Sequence, residues 1–260
     1  GLVGSEMCIR DSTISVQRGA LDMALSVIGC AGLEGQHGLS HHGLRPTGQV
    51  HWNLEWQELY EAALRRGEGN LTAHGVLMTE TGGRTGRSPN DKFIVKDEAE
   101  GNPLTADIWW GDINVPTTPE VYENLSQKVR DYLSNREEIF VQDLHCGADT
   151  DERLAIRVVT ENAWHSAFAR NMFIRPSIEE IDAHEPEFTI LHAPHFHADP
   201  EIDGTNSEAF VIISFEEKTV IIGGTRYAGE IKKSIFSIMN HILPGRGHLP
   251  CLLYTSPSPR

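Results

Sequence analysis

The chain has 260 residues, and its 22 basic and 37 acidic side chains give a formal net charge of −15 at pH 7. Such an acidic balance argues against a nucleic-acid or anionic-membrane surface, because both need clustered lysine and arginine. Hydrophobic residues make up 39% of the chain, which is typical of a globular protein and excludes a disordered or membrane-embedded one.

Four cysteines are scattered along the chain, at Cys8, Cys30, Cys146 and Cys251, without the close spacing of a zinc site or a disulfide framework. We therefore expect a cytoplasmic protein. The longest apolar stretch, residues 20–33, is too short to cross a bilayer. The four residues that end at Cys30 resemble a lipoprotein cleavage box, but the apolar stretch is short, so a short helix or an unstructured lead-in is preferred.

The two ends of the chain differ in character from its middle. Residues 1–12 and 250–260 look like translated sequencing-adapter ends, with a pair of disordered native tails as the alternative. Residues 13–47 form a lead-in whose origin the sequence leaves open. We expect residues 48–249 to form one domain, which belongs to a longer protein if both ends are adapter-derived.

Between these ends, apolar periodicity predicts alternating helices and strands. Asn53 can cap a first helix, which ends at Gly67. A second helix follows Thr118, a capping residue placed before a proline. Thr160 can cap a third helix. The apolar side of this third helix carries Trp164, Phe168 and Met172.

Seven runs rich in β-branched and aromatic residues predict strands. These runs cover residues 75–78, 93–95, 139–142, 154–159, 188–191, 209–215 and 219–222. The last two predict a hairpin that turns at residues 216–218. Strands interleaved with helices predict an α/β fold with a mixed β-sheet flanked by helices, in one domain.

The first feature with chemical potential is a glycine-rich loop that contains two arginines, TGGRTGRSPNDK at residues 81–92. Glycines let the backbone approach a ligand closely, and the planar fork of arginine suits a carboxylate or a phosphate. The structural alternative is a tight loop whose arginines pair with Asp91, Asp97 or Glu98. The sequence leaves both interpretations open.

A second glycine loop joins a predicted strand to a predicted helix, which is a geometry in which backbone N–H groups receive an anion. Gly224 and Gly229 have the spacing of a P-loop, but Glu230 stands where that motif has lysine. In a partly buried site, Lys232 and Lys233 would repel each other and lower at least one pKa, which would make a neutral amine available to a metal. The alternative is two solvated lysines on a helix surface.

Three histidines, His192, His195 and His197, follow another predicted strand, with Asp199 close behind. On an extended segment, His195 and His197 would share a face on which a metal with open positions could bind. Their spacing matches neither an HExxH motif nor a facial triad, so a polar loop is preferred over a histidine-metal hydrolase.

Taken in order, the motifs of the middle segment resemble ATP-dependent phosphoenolpyruvate carboxykinase. The matching motifs are RRGEG at 65–69, TGRSPNDK at 85–92, CGA at 146–148, TENAW at 160–164, NMFIRP at 171–176, NSEAF at 206–210 and the run over 222–240. The resemblance covers roughly residues 48–249. One departure is Asn90, which takes the place of a lysine that is usual in the family.

The resemblance implies a decarboxylating lyase of gluconeogenesis that converts oxaloacetate and ATP to phosphoenolpyruvate, CO2 and ADP, with Mg2+ and Mn2+ as cofactors. Arg87 resembles the arginine that holds the substrate carboxylate and CO2, and Tyr227 resembles the tyrosine of the same pocket. Lys232 resembles the lysine that faces the transferred phosphoryl group, and Lys233 the lysine that binds the protein-bound metal.

The resemblance also implies that this segment is the N-terminal, substrate-binding domain of a two-domain enzyme. The nucleotide-binding P-loop, the remaining metal ligands and a second substrate arginine would then lie beyond residue 249. We therefore expect the C-terminal nucleotide-binding domain as a partner, and an inactive chain without it. The alternative is a non-catalytic anion-binding module that retains only the substrate half of the site.

Overall fold

The computed structural model describes residue 32 and residues 37–96 and 104–248. The predicted adapter-derived ends, most of the lead-in and the sequence before Cys30 that resembles a cleavage box lie outside the described residues. Asp97 and Glu98, two of the predicted arginine partners, also lie outside them. None of the helices in the described ranges is long and apolar enough to cross a membrane.

The fold is built on a mixed sheet, as predicted, and this sheet has eight strands. In chain order the strands are β1 (Gln49–Trp52), β2 (Gly69–Leu71), β3 (Leu77–Thr79), β4 (Lys92–Val95), β5 (Val115–Thr117), β6 (Glu138–Cys146), β7 (Leu154–Thr160), β8 (Phe188–Ala193), β9 (Phe210–Ser214) and β10 (Thr219–Gly223). The order across the sheet is β1-β6-β7-β8-β10-β9-β4-β5, and β2 pairs with β3 in a separate hairpin. Within the large sheet, the pairs β6–β7 and β9–β10 are antiparallel and the other pairs are parallel.

Helices cover both faces of this sheet. The α-helices of the described ranges are α1 (Trp56–Arg65), α2 (Pro119–Ser134), α3 (Ala163–Met172), α4 (Ile178–Asp182), α5 (Pro200–Asp203) and α6 (Gly229–Gly245), and two short 3-10 helices cover Leu39–His42 and Pro89–Asp91. Neighbouring residues of a strand point to opposite faces. Val158 of β7 therefore joins the apolar cluster under α6, whereas Val159 joins the cluster under α2. The sheet is buried on both sides, which fixes its strands as a rigid frame.

The first helix starts later than the sequence predicts. Its N-cap is Glu55, which forms a capping box with Glu58, so the prediction that Asn53 caps this helix was wrong. Asn53 instead has a positive φ of 49°. Its Oδ1 accepts a hydrogen bond from the backbone N–H of Asp143 at 2.8 Å, and this contact uses the side-chain oxygen that a cap would need.

The second helix begins as predicted, because the Thr118 side chain accepts a hydrogen bond from the backbone N–H of Val121. The third begins after Asn162, so the prediction that Thr160 caps it was wrong. The Thr160 hydroxyl donates to the backbone oxygen of Asn162. The backbone N–H groups of Ala163 and Trp164, at the start of α3, donate hydrogen bonds to the carboxylate of Glu68, which comes from a distant part of the chain.

All seven predicted strands are present with shifted bounds, and the predicted hairpin of β9 and β10 is confirmed. The strand predicted over residues 75–78 is β3, which starts later because Gly75 has a φ of 77° in the turn of its hairpin. The sequence prediction missed β1, β2 and β5. These strands have four or three residues each, too few for a clear alternation.

The two glycine loops lie at the same edge of the sheet. Strands β7, β8 and β10 are parallel neighbours, so their carboxyl ends meet at this edge. Strand β4 runs opposite to β10, because Lys92 pairs with Val211 in a parallel ladder and Val211 pairs with Ile222 in an antiparallel one. The arginine loop, which enters β4 at its amino end, therefore lies beside the loop that follows β10.

Candidate functional site

A pocket of about 430 Å³ lies between these two loops and helix α3. Its lining residues are Thr81, Arg87, Trp164, Phe168, Met172, Tyr227, Ala228, Gly229, Lys232 and Lys233. The structure thus brings together all four predicted site residues, Arg87, Tyr227, Lys232 and Lys233. Three of these four are cationic and none of the ten lining residues is acidic, so the pocket favours an anion.

Helix α3 supplies an apolar wall that the sequence analysis did not assign to the site. Trp164, Phe168 and Met172 are four residues apart and therefore lie on one side of the helix. The sequence placed them on one side of a helix, but such a stripe is also typical of a buried core. An apolar wall limits the water around nearby cations, which strengthens their attraction for an anion.

The two arginines of the first loop have different surroundings. Arg84 donates hydrogen bonds to Ser88 Oγ and Asp91 Oδ2, both at 3.0 Å, and to Ser207 Oγ at 2.8 Å. The predicted pairing with an acidic neighbour is therefore correct for Arg84. Arg87 is exposed and has no hydrogen bond or ion pair with any residue that the structure describes. Arg87 is thus the arginine that is available to a ligand.

A hydrogen bond holds the end of the arginine loop against helix α6. Lys92 Nζ donates to Ser237 Oγ at 2.7 Å. Burial of Lys92, together with the nearby charge of Arg87, lowers the pKa of its amine. Lys92 is therefore part of the frame that holds the loop, and it is absent from the pocket lining.

The loop after β10 requires glycine at its first bend. Gly224 has a φ of 64°, and a Cβ atom there would lie 2.3 Å from the backbone oxygen of Glu208. Helix α6 begins five residues later, at Gly229. Its N-terminus carries a partial positive charge that adds to the charges of Lys232 and Lys233. Lys233 Nζ lies 5.0 Å from the centre of the Phe236 ring.

Two buried histidines hold the backbone that leads to Tyr227. His192 Nε2 is 3.1 Å from the Thr225 carbonyl oxygen, and His165 Nε2 is 3.0 Å from the Arg226 carbonyl oxygen. Because a carbonyl oxygen only accepts, both Nε2 atoms donate. Burial lowers the pKa of His192 to about 4 and holds the pKa of His165 well below its ordinary value. Both rings are therefore neutral donors at pH 7.

The predicted histidine cluster does not converge on one point. His192 faces a backbone carbonyl, whereas His195 Nδ1 lies 3.3 Å from Glu161 and His197 Nδ1 lies 3.1 Å from Glu208. Within the described ranges, no group of three or more His, Cys, Asp or Glu side chains could hold a metal ion. The arrangement favours the polar-loop interpretation over the histidine-metal hydrolase.

A second pocket, of about 580 Å³, adjoins the first and shares Trp164 with it. Its charges are mixed and largely paired, since Arg66 binds Glu68 and His195 lies beside Glu161. These internal ion pairs leave less unbalanced positive charge than in the first pocket. The first pocket is therefore the better candidate for an anion site.

The fold and the pocket define a class of protein, namely an α/β domain with a pocket lined by cationic side chains between two glycine loops. The model of the phosphoenolpyruvate carboxykinase family matches residues 48–256. The chain belongs to this family.

Relatives agree with this assignment. The chain is 53% identical over 213 residues to the phosphoenolpyruvate carboxykinase (ATP) of Thermus thermophilus, which covers 80% of this chain and 39% of the relative. It is 55% identical over 202 residues to the protein of that name from Brevibacillus brevis, covering 78% and 38%. For the protein of that name from a Geobacter species, the identity is 49% over 210 residues, covering 81% and 39%. The chain thus spans about two fifths of the length of these relatives.

The family match starts at residue 48, where the predicted domain starts, and it continues to residue 256, beyond the predicted end at 249. The bounds of the domain and the adapter origin of the two ends stay predictions.

Proposed function

We propose that this domain binds the substrate of an ATP-dependent phosphoenolpyruvate carboxykinase, and that the enzyme converts oxaloacetate and ATP to phosphoenolpyruvate, CO2 and ADP. The observation that carries the proposal is the lining of the first pocket, where Arg87, Lys232 and Lys233 meet without an acidic side chain. Oxaloacetate and phosphoenolpyruvate are both small polyanions, so three converging cations suit either. A non-catalytic anion-binding module would use the same pocket but would not explain the names of the relatives.

In the proposed reaction, the bond between C3 of oxaloacetate and its neighbouring carboxylate breaks, and CO2 leaves. The electron pair of that bond forms the enolate of pyruvate. The enolate oxygen then attacks the γ-phosphorus of ATP, and ADP leaves with the electrons of the broken P–O bond. Negative charge develops on the enolate oxygen and spreads over the transferred phosphoryl group, so fixed cations stabilise the transition state.

The proposed roles are those that the family resemblance implies, and the presence of all four residues in the pocket lining supports them. The exposed fork of Arg87 holds the substrate carboxylate through two parallel hydrogen bonds. Tyr227 lines the same pocket and limits where the substrate lies. Lys232, in the first turns of α6, faces the phosphoryl group, and the helix N-terminus adds to its effect. Lys233 is the proposed metal-binding residue: it is one of the three cations of the pocket when no metal is bound, and a metal would bind it as a neutral amine.

The chain holds only part of the proposed machinery for nucleotide and metal. Bound Mg2+ or Mn2+ would neutralise charge on the phosphoryl group. Of the proposed ligands, this chain supplies one nitrogen from Lys233, and the described residues contribute no group of three acidic, histidine or cysteine ligands. The sequence contains no GxxxxGK[ST] motif for ATP. We propose that a C-terminal nucleotide-binding domain supplies these parts, in a cytoplasmic enzyme.

The proposal is tested by calorimetric titration of the 260-residue chain with phosphoenolpyruvate. Replacing Arg87 with alanine should weaken binding by roughly 10- to 100-fold, the equivalent of one charge-assisted contact. Arg246→Ala is the matched control, because Arg246 is an arginine at the opposite end of α6 that pairs with Glu152. Unchanged affinity in Arg87→Ala would contradict the proposal. The whole reaction is tested on a reading frame extended to the length of the relatives, by formation of ADP and phosphoenolpyruvate.

A further inference from the structure

We infer that Glu230 is a positioning residue that fixes Arg87 relative to Lys232 and Lys233. This inference rests on the proposed function, because it assigns to Glu230 the task of assembling the proposed substrate pocket. Glu230 itself is absent from the pocket lining. It would act through the arginine loop and would not touch the substrate.

The central contact is a single hydrogen bond between the two glycine loops. Glu230 is 4% exposed, and its Oε1 accepts a hydrogen bond from the backbone N–H of Ser88 at 2.7 Å. The two residues are 142 positions apart in the chain. Ser88 directly follows Arg87, and Glu230 precedes Lys232 by two residues. One buried carboxylate therefore joins the backbone that carries the arginine to the helix turn that carries the lysines.

Two further contacts show that both ends of the arginine loop lie against the segment that runs from the second glycine loop into α6. A Cβ atom on Gly82 would lie 2.5 Å from Arg226 Nη2, so glycine allows the Arg226 side chain to pack closely there. At the other end, Lys92 binds Ser237 of α6. Neither contact reaches Arg87 itself, and Glu230 supplies the one nearest to it. Loss of the Glu230 contact would leave Ser88, the residue next to Arg87, with the bonds that it makes inside its own loop, to Arg84 and Asp91, and would remove its bond to α6.

A carboxylate suits this place for a second reason. Arg87, Lys92, Lys232 and Lys233 are four of the positive charges on the two loops and the start of α6, and these charges repel one another. Glu230 lies in the first turn of α6, where a negative charge is also favoured by the helix dipole. The buried Glu230 carboxylate, which is absent from the pocket lining, therefore offsets part of the repulsion among these cations.

The test measures phosphoenolpyruvate binding by calorimetry in the 260-residue chain. Glu230→Ala should weaken binding by about 10-fold, the equivalent of one hydrogen bond to a charged group. Glu230→Gln should recover most of this loss, since its amide oxygen can still accept from Ser88. Glu180→Ala is the matched control, because Glu180 likewise accepts a backbone N–H, that of Ser177, outside the pocket. Thermal unfolding and near-ultraviolet circular dichroism establish that each variant is folded.

A double-mutant cycle with Arg87→Ala separates positioning from general stability. If Glu230 acts through Arg87, adding Glu230→Ala to Arg87→Ala should change the affinity by less than about twofold. An equal loss in both backgrounds, or wild-type affinity in Glu230→Ala, would overturn the inference. Unchanged affinity in Arg87→Ala would instead contradict the proposed function. A failure of the Glu230 inference can therefore be told apart from a failure of the proposed function.

Two conservative variants keep the test decisive if Glu230→Ala does not fold. Glu230→Asp keeps the charge but shortens the reach to Ser88, whereas Glu230→Gln keeps the reach and removes the charge. We expect weaker binding in the aspartate variant than in the glutamine variant. The reverse order would show that charge alone matters, and the positioning role would be lost.

Discussion

Asp143 of β6 and Arg157 of β7 form a bidentate ion pair between neighbouring strands, and neither side chain has exposed surface. Arg157 Nε lies 2.7 Å from Asp143 Oδ1, and Arg157 Nη2 lies 3.1 Å from Oδ2. The guanidinium carbon also lies 5.0 Å from the centre of the Trp52 ring. Neither charged residue lines the proposed substrate pocket, so we expect their contribution to be to stability.

Replacing Arg157 with methionine should lower the free energy of unfolding by about 3–5 kcal/mol, because the buried Asp143 carboxylate would lose its arginine partner and keep only the His184 ring, 3.7 Å away, beside it. Replacing both residues by apolar ones, as Asp143→Leu with Arg157→Met, should recover most of the loss, since no charge then stays buried. Urea denaturation monitored by circular dichroism measures both effects. A single variant as stable as the double variant would contradict this account.

The stability of the protein should fall on acidification because of its buried histidines. The pKa of His192 is lowered from 6.5 to about 4 by burial. Between pH 6.5 and 4 the unfolded chain therefore binds more protons at this ring than the folded protein does, so stability falls as the pH decreases through that window. The pKa values of His42 and His145 are also lowered to about 4, and both rings add to the slope.

His192→Gln isolates the contribution of one ring. A glutamine amide does not titrate, and its nitrogen can still donate to the Thr225 carbonyl oxygen. Denaturant unfolding at several pH values from 7 to 4 should show a smaller loss of stability in this variant. The slope of the unfolding free energy against pH should differ from that of the parent by the equivalent of about one proton. Identical slopes in the variant and the parent would mean that His192 does not titrate as its burial indicates.

Elements with strong local signals were predicted correctly from the sequence. Helix α2 has its cap and a proline adjacent in the chain, at Thr118 and Pro119, and the β9–β10 hairpin has its turn between two β-branched runs. The cap prediction for α1 failed because the Asn53 side chain binds the backbone of Asp143, 90 positions away. A sequence pattern does not show such a contact, because the two residues become neighbours only in the folded protein.

The candidate site shows the same division. The motifs identified both glycine loops and the four residues Arg87, Tyr227, Lys232 and Lys233, but only the strand order places the two loops side by side. Arg84 differs from Arg87 through its bonds to Ser88 and Asp91 in the same loop and through a bond to Ser207, which lies 123 positions away. Spacing within the loop treats both arginines alike, so it could not say which one is left for a ligand.

Gly224 should tolerate no side chain, although many loop glycines do. It has a φ of 64°, and an added Cβ would lie 2.3 Å from the Glu208 backbone oxygen and 2.8 Å from Ala209 Cα. Because both obstacles are backbone atoms, Gly224→Ala should cost about 2–4 kcal/mol of stability from strain and overlap together. It should also weaken phosphoenolpyruvate binding, since Tyr227 follows three residues later. Gly83→Ala is the matched control, as a Cβ there meets nothing within 4 Å. Equal melting temperatures for the two variants would show that the loop after β10 can shift, and Tyr227 would then not be held in place by this bend.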